Sequence, residues 1–231
     1  MEPVGIIGAM EEEIERFLPH LAEEESHVIA GIRYISGKMN GKPIVLVKSG
    51  VGKVNAAVCT QILIDRFSVS SILFTGVAGA LHPELEIGDI VISTDAMQHD
   101  MDASPLGFPR GVIPFFPESI FPADQRLVEM AAAAAEAMGE GKVMRGRVLS
   151  GDQFFADHDK VKELHERFHG VCTEMEGAAV AQVAYMNRIP YVIIRSMSDK
   201  ADGSSHIDFQ AFTRLAAERS YKVIVKMLEN L

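Results

Sequence analysis

Short apolar runs alternate along this chain with stretches of helical period. Residues 4–7 are apolar and end at Gly8, which predicts a strand. Met10, Ile14, Phe17 and Leu18 then recur at helical spacing and predict a helix that Pro19 stops. Residues 33–38 and 43–48 flank Asn40-Gly41, a hairpin signal because such a tight turn needs positive φ. A helix is predicted from Gly50 to about Phe67, a strand over 71–75, a small-residue loop over 76–79 and a strand over 87–93. Residues 96 to about 121 are proline-rich with little periodicity. A segment that long in a compact domain is usually functional or lies in an interface.

The second half keeps the alternation. Helices are predicted over 124–138, 160–168, 177–186 and 208–230, and strands over 145–149, 171–175 and 191–197. Strands alternating with helices predict an α/β sheet, and the hairpin makes that sheet mixed rather than wholly parallel. The only low-complexity tract, Ala131 to Ala135, falls inside a predicted helix. With no linker or repeat, residues 1–231 read as one domain.

Composition narrows the function. Hydrophobic residues make up 48% of the 231, enough for a sizeable core. A net charge of −10 argues against a nucleic-acid polyanion but leaves room for one nucleoside in a local pocket. Cys59 and Cys172 lie far apart within apolar runs and read as reduced, packed thiols. The N-terminus lacks the basic region of a signal peptide, and no apolar run approaches the ~20 residues of a membrane span. A cytoplasmic protein with no membrane partner is expected.

Five constellations carry candidate chemistry. Arg195, Ser198 and Asp199 follow an apolar strand, at the sheet edge where ligands bind in open α/β folds. An acid there, near an apolar core, can have its pKa raised and donate a proton. Glu11, Glu12 and Glu13 follow the first strand. Glu12 points away from the apolar helix face, whereas Glu11 and Glu13 flank it and periodicity does not choose between them. In Thr173-Glu-Met-Glu-Gly177 an extended backbone puts Glu174 and Glu176 on one face, as a diol acceptor or a water holder. The alternative is that Glu176 is a first-turn helix acid. Phe154-Phe155 offers a stacking surface for a flat base, or ordinary core packing. His165-Glu-Arg-Phe-His169 matches a zinc-protease pattern, but no third ligand motif follows and last-turn histidines suit a helix dipole. Gly50-Val-Gly-Lys53 lacks the spacing of a nucleotide phosphate loop.

The segments GIIGAMEEE (5–13), KSGVGKVNAA (48–57), TGVAGAL (75–81), SGDQFF (150–155), TEMEGAA (173–179) and RSMSD (195–199) resemble, in order, the 5′-methylthioadenosine/S-adenosylhomocysteine nucleosidase family. The resemblance implies a nucleoside phosphorylase-like α/β sandwich, a twisted mixed sheet flanked by helices. It implies a homodimer acting on a small nucleoside without metal or organic cofactor. Asp199 would protonate adenine N7, oriented by Ser198. Phe154 would stack on the base and the Phe155 backbone would read its edge. Glu176 and the Met175 backbone would hold the ribose, and Glu13 would activate water in a network with Glu174 and Arg195. Met10, Val51 and Phe209 would line the 5′ end, and Ala78 and Gly79 would also bind substrate. Leu106, Phe108 and Pro114 would reach into the partner subunit's site. Position 77 is Val where some members carry Ser, which removes one hydroxyl contact. The rivals are a purine nucleoside phosphorylase, a non-catalytic nucleoside binder, and a zinc metalloprotease built on His165 and His169.

Overall fold

Val4–Gly8 (β1) is buried along its whole length. It lies between two parallel neighbours, Lys42–Lys48 (β4) and Ser71–Ala80 (β5), and strands covered on both faces read as continuous apolar runs. The computed structural model describes residues 2–155, 157–200 and 205–231. Ala22–Ile29 (β2), Ile32–Met39 (β3) and β4 form an antiparallel meander, with Asn40 and Gly41 at φ 50° and 77° in the hairpin turn. The remaining strands are Ile90–Gln98 (β6), Ile120–Pro122 (β7), Val143–Ser150 (β8), Gly170–Glu174 (β9) and Tyr191–Asp199 (β10). The helices are Glu11–Ile14 (α1), Lys53–Phe67 (α2), Gln125–Met138 (α3), His158–Phe168 (α4), Gly177–Asn187 (α5) and Ser205–Asn230 (α6).

Among the described residues all ten strands join one mixed sheet, in the order β10-β6-β8-β9-β5-β1-β4-β3-β2 with β7 on β6. β10 also pairs with β5, so β5, β10, β6, β8 and β9 close on themselves and β1 to β2 form a wing. Two apolar layers cover the sheet. Ala56, Cys59 and Leu63 of α2 and Ala178 to Ala184 of α5 pack with Ile7, Val47 and Phe74. Phe17, together with Leu127 and Ala131 of α3 and Val223 to Leu228 of α6, packs with Ile6, Leu46 and Ile194. Cys59 and Cys172 are buried and free. Among the described residues no helix is long and apolar enough to cross a membrane.

The structure corrects several sequence expectations. The first helix is a single turn, and a 3-10 turn over Leu18–His20 follows it. Pro19 removes a backbone donor there, although Ile14 and Phe17 are still buried. β2 was not predicted, because Glu23, Glu24 and Glu25 resemble a solvated loop. It is an edge strand that needs only backbone pairing with β3, and its charges suit an unpaired edge. The expected loop over 76–79 is extended backbone continuing β5, and β10 likewise runs on to Asp199. β6 starts at Ile90 rather than 87 and continues to Gln98, because Asp89 closes a turn by accepting from Glu86 N at 2.8 Å.

Candidate active site

The chain leaves β1 at Gly8 and turns at once into α1, which folds Glu13 back under the strand ends. The Glu13 carboxylate accepts from the backbone N–H of Ala9 at 2.6 Å and Met10 at 3.0 Å on one oxygen, and of Val77 at 2.9 Å on the other. Its side chain is buried. Burial raises its pKa, with Arg195 and the three N–H groups opposing. A Cβ on Gly76 would stand 2.4 Å from Glu13 Oε1 and 2.7 Å from Arg195 Nη1, so only glycine lets β5 pass these two groups. The small-residue run at 76–79 is this close approach, not a loop. The choice that periodicity left open is also made here: Glu11 is exposed and pairs with Lys48 at 2.7 Å.

At the end of β9, Glu174 collects donors from four residues. It accepts from Ser150 Oγ, from Gly177 N at 2.9 and 2.8 Å, from Glu176 N at 3.2 Å and from Arg195 Nη2 at 2.5 Å. Arg195, from β10, is 1% exposed and stacks its guanidinium 3.9 Å from the Phe74 ring centroid. Among the described residues its Nε and Nη1 have no hydrogen-bond partner. Burial works against its charge, but Glu174, Glu13 and Glu176 outweigh burial and hold it protonated. Glu176 precedes α5, as the helix alternative required, yet it is buried and accepts from Gly52 N at 2.7 Å. Burial first, then the charge of Glu174, push its carboxyl up to about 8.

β10 ends in a bulge. Its register against β5 shifts between Met197 and Asp199, which re-aims the last side chains. Ser198 Oγ donates to Asp199 Oδ2 at 2.9 Å and lies 3.5 Å from the Ala78 carbonyl oxygen. Asp199 is 2% exposed, an acid inside the protein rather than on its surface.

These groups open onto one cavity, whose space including its mouth is about 670 Å³, within the range of small-molecule sites. Met10, Glu13, Val51, Ala78, Gly79, Phe154, Phe155, Glu174, Met175, Glu176, Ser198, Asp199 and Phe209 all line it. Phe154 is 52% exposed and stands edge-on to Phe209 with centroids 5.6 Å apart, while Phe155 is buried against the His99 ring. Arg195 lies outside the lining, beside Glu174. Leu106, Phe108 and Pro114 are not in the lining either: Leu106 is exposed, and Phe108 packs edge-on to Phe115. Ala9, Gln153 and Thr173 line the cavity but were not among the expected site residues, and Val77 lines it at the position where a hydroxyl contact was expected to be lost. Each adjoins or sits inside a predicted segment, so its neighbours were the available signal. The histidine pair has other surroundings. His165 Nδ1 lies 2.8 Å from the Gly170 carbonyl, and His169 ends α4 in a left-handed conformation. Among the described residues no group of three or more His, Cys, Asp or Glu is arranged to hold a metal. Lys53 pairs with Asp100 at 2.6 Å.

A doubly covered mixed sheet with an acid-lined pocket at its strand ends has close relatives. The family model for the phosphorylase superfamily matches residues 3–229. Over 229 residues, 99% of both chains, the sequence is 40% identical to the 5′-methylthioadenosine/S-adenosylhomocysteine nucleosidase of Shewanella denitrificans. Among solved structures it is similar to the nucleosidase of the same name from Neisseria meningitidis in complex with methylthio-immucillin-A (TM-score 0.95, 37% identity, 100% of both chains). It is also similar to the futalosine hydrolase of Helicobacter pylori (TM-score 0.95, 32% identity, 100% of this chain and 98% of that one). The chain therefore belongs to the phosphorylase superfamily and, within it, to the 5′-methylthioadenosine/S-adenosylhomocysteine nucleosidase family of N-glycosidases.

Proposed function

We propose that this protein hydrolyses the N-glycosidic bond of 5′-methylthioadenosine and S-adenosylhomocysteine, releasing adenine and the 5′-substituted ribose. The observation that carries this reading is the pairing of two buried acids, Glu13 and Asp199, in the lining of one cavity with an aromatic and apolar rim. Asp199, oriented by Ser198, gives its proton to adenine N7 as the bond from C1′ to N9 breaks and its electron pair passes to the purine. Such general-acid help is worth about 10²–10⁴-fold. Positive charge develops on the ribose, where the Glu174 carboxylate stabilises it, while Glu176 binds the sugar hydroxyls. Water then attacks C1′ from the face opposite the leaving group, and Glu13 takes its proton, in the inverting logic of glycoside hydrolysis. The raised pKa of Glu13 makes it a stronger base than an ordinary carboxylate. Arg195 stays outside the cavity lining and acts on Glu13 through its charge.

Met10, Val51 and Phe209 form the apolar 5′ end, which suits a thioether. One methylene-sized change there is worth only about 1–3 kcal/mol, so 5′-deoxyadenosine is also accepted. The active form is a homodimer in which Leu106, Phe108 and Pro114 close the partner's site. It acts as one domain in the cytoplasm, without metal or cofactor, in methionine salvage and the recycling of S-adenosylmethionine by-products. The superfamily's other reaction, phosphorolysis, needs cations for a phosphate dianion. Arg195 is committed to Glu174, and Glu13 would repel the anion. The test is adenine release from methylthioadenosine in phosphate-free buffer. Release without phosphate is expected; an absolute phosphate requirement with a ribose-1-phosphate product overturns the hydrolase reading.

A further inference from the structure

Two adjacent backbone amides at the start of α2 serve different halves of the pocket. Gly52 N donates to Glu176 on the sugar side at 2.7 Å. Lys53 N donates to Asp152 Oδ1 at 2.8 Å, and Asp152 sits two residues before Phe154 on the base side. The arrangement closes on itself. Asp152 N donates to Asp100 Oδ2 at 3.0 Å, and Asp100 Oδ1 accepts from Lys53 Nζ at 2.6 Å. Lys53 Nζ also donates to Gln98 Oε1 at 3.1 Å, and Gln98 Nε2 donates to Gln182 Oε1 on α5 at 2.6 Å. Three residues from three segments thus form a ring of hydrogen bonds, two of them charge-assisted through a carboxylate and one a half-buried ion pair. Gly52 is held at φ +97°, and a Cβ there would stand 3.2 Å from Asp152 Oδ1, so the turn leaves little room for another residue.

We propose that Lys53, Asp100 and Asp152 form a clip that sets the distance between the ribose-holding and base-holding halves of the pocket. The clip rests on the nucleosidase reading above. None of the three side chains lines the cavity, so they act through others: Asp152 through the backbone that carries Phe154 and Phe155, Lys53 through the Gly52 amide and Glu176. A linked pocket binds a base and a sugar better together than apart, because ordering one half orders the other. Loss of the clip uncouples the halves without removing any group that touches substrate.

The experiment measures binding of adenine and of 5′-methylthioribose by calorimetry, each alone and with the other saturating, to the full-length protein and to Lys53→Met, Lys53→Arg and Asp152→Ala. In the parent, each fragment tightens the other. In Lys53→Met and Asp152→Ala that coupling falls to about onefold. KM for methylthioadenosine rises about tenfold, the equivalent of ~1.4 kcal/mol, while kcat changes less than threefold. Lys53→Arg recovers most of the loss. The double variant Lys53→Met/Asp152→Ala is no worse than the worse single variant, because the residues act as one unit. Two different single variants guard against a folding defect in either. Coupling unchanged in both, or losses that multiply in the double variant, overturns the clip while sparing the nucleosidase reading. A parent protein that binds neither fragment overturns both.

Discussion

Replacing Glu174 by Gln tests the buried network beneath the proposed ribose site. The native carboxylate accepts from Ser150 Oγ, Glu176 N, Gly177 N and Arg195 Nη2 with both oxygens. A glutamine has one acceptor oxygen, so its NH₂ must face at least one of these donors. The change also leaves Arg195, 1% exposed, without its direct carboxylate partner. Removing one member of a buried ion pair costs about 3–5 kcal/mol. For a chain of this length each kcal/mol moves Tm by roughly 2–4 °C, so a fall of about 6–20 °C is expected by calorimetry. The charge of Glu174 is also the second cause, after burial, of the raised Glu176 carboxyl. The Glu176 titration, followed by carboxyl-carbon NMR, should therefore move down in the variant. A Tm within about 2 °C of the parent, with an unmoved Glu176 titration, would refute the reasoning.

Glu13→Gln should lower kcat by at least about 10²-fold, whereas the half-exposed Glu12→Gln should leave it nearly unchanged; steady-state adenine release reads both, and the reverse order would mean that Glu13 is not the base. The raised Glu176 carboxyl makes a pH prediction. The native state holds a proton that the unfolded chain releases, so this stabilisation is complete below the ordinary value of 4.5 and lost as pH rises through about 8. The Tm advantage of the parent over Glu176→Gln should therefore be larger at pH 5 than at pH 8, and a difference that does not change with pH contradicts it.

Much of this architecture was legible because its central strands are buried on both faces. β1, β4 and β10 read as apolar runs for that reason, and the Asn40-Gly41 turn marked the meander. β2 was illegible because an edge strand is held by backbone pairing, and its glutamates carry no pattern that separates it from a loop. Period also failed at α1, where one turn is too short to show a face and Pro19 lies in the 3-10 turn that follows. In the pocket, the residue types at 174, 176, 195, 198 and 199 were informative because acids and an arginine within apolar runs need partners. Periodicity alone did not tell which of Glu11 and Glu13 turns inward; only the family resemblance pointed to Glu13. The inward turn depends on Gly76 letting β5 pass close enough for Val77 N to reach the carboxylate, a contact between segments 64 residues apart. The clip of Lys53, Asp100 and Asp152 was invisible for the same reason: its members lie on three separate segments, and each alone reads as a surface charge.

The central claim is that Asp199 supplies the leaving-group proton. Asp199→Asn keeps the shape and an acceptor for Ser198 but removes the acidic proton. The decisive measurement is single-turnover adenine release by this variant beside its equilibrium affinity for methylthioadenosine. A fall in the chemical step of about 10²–10⁴-fold, with affinity held within a few-fold, is the predicted result. Turnover close to that of the parent protein would contradict the account.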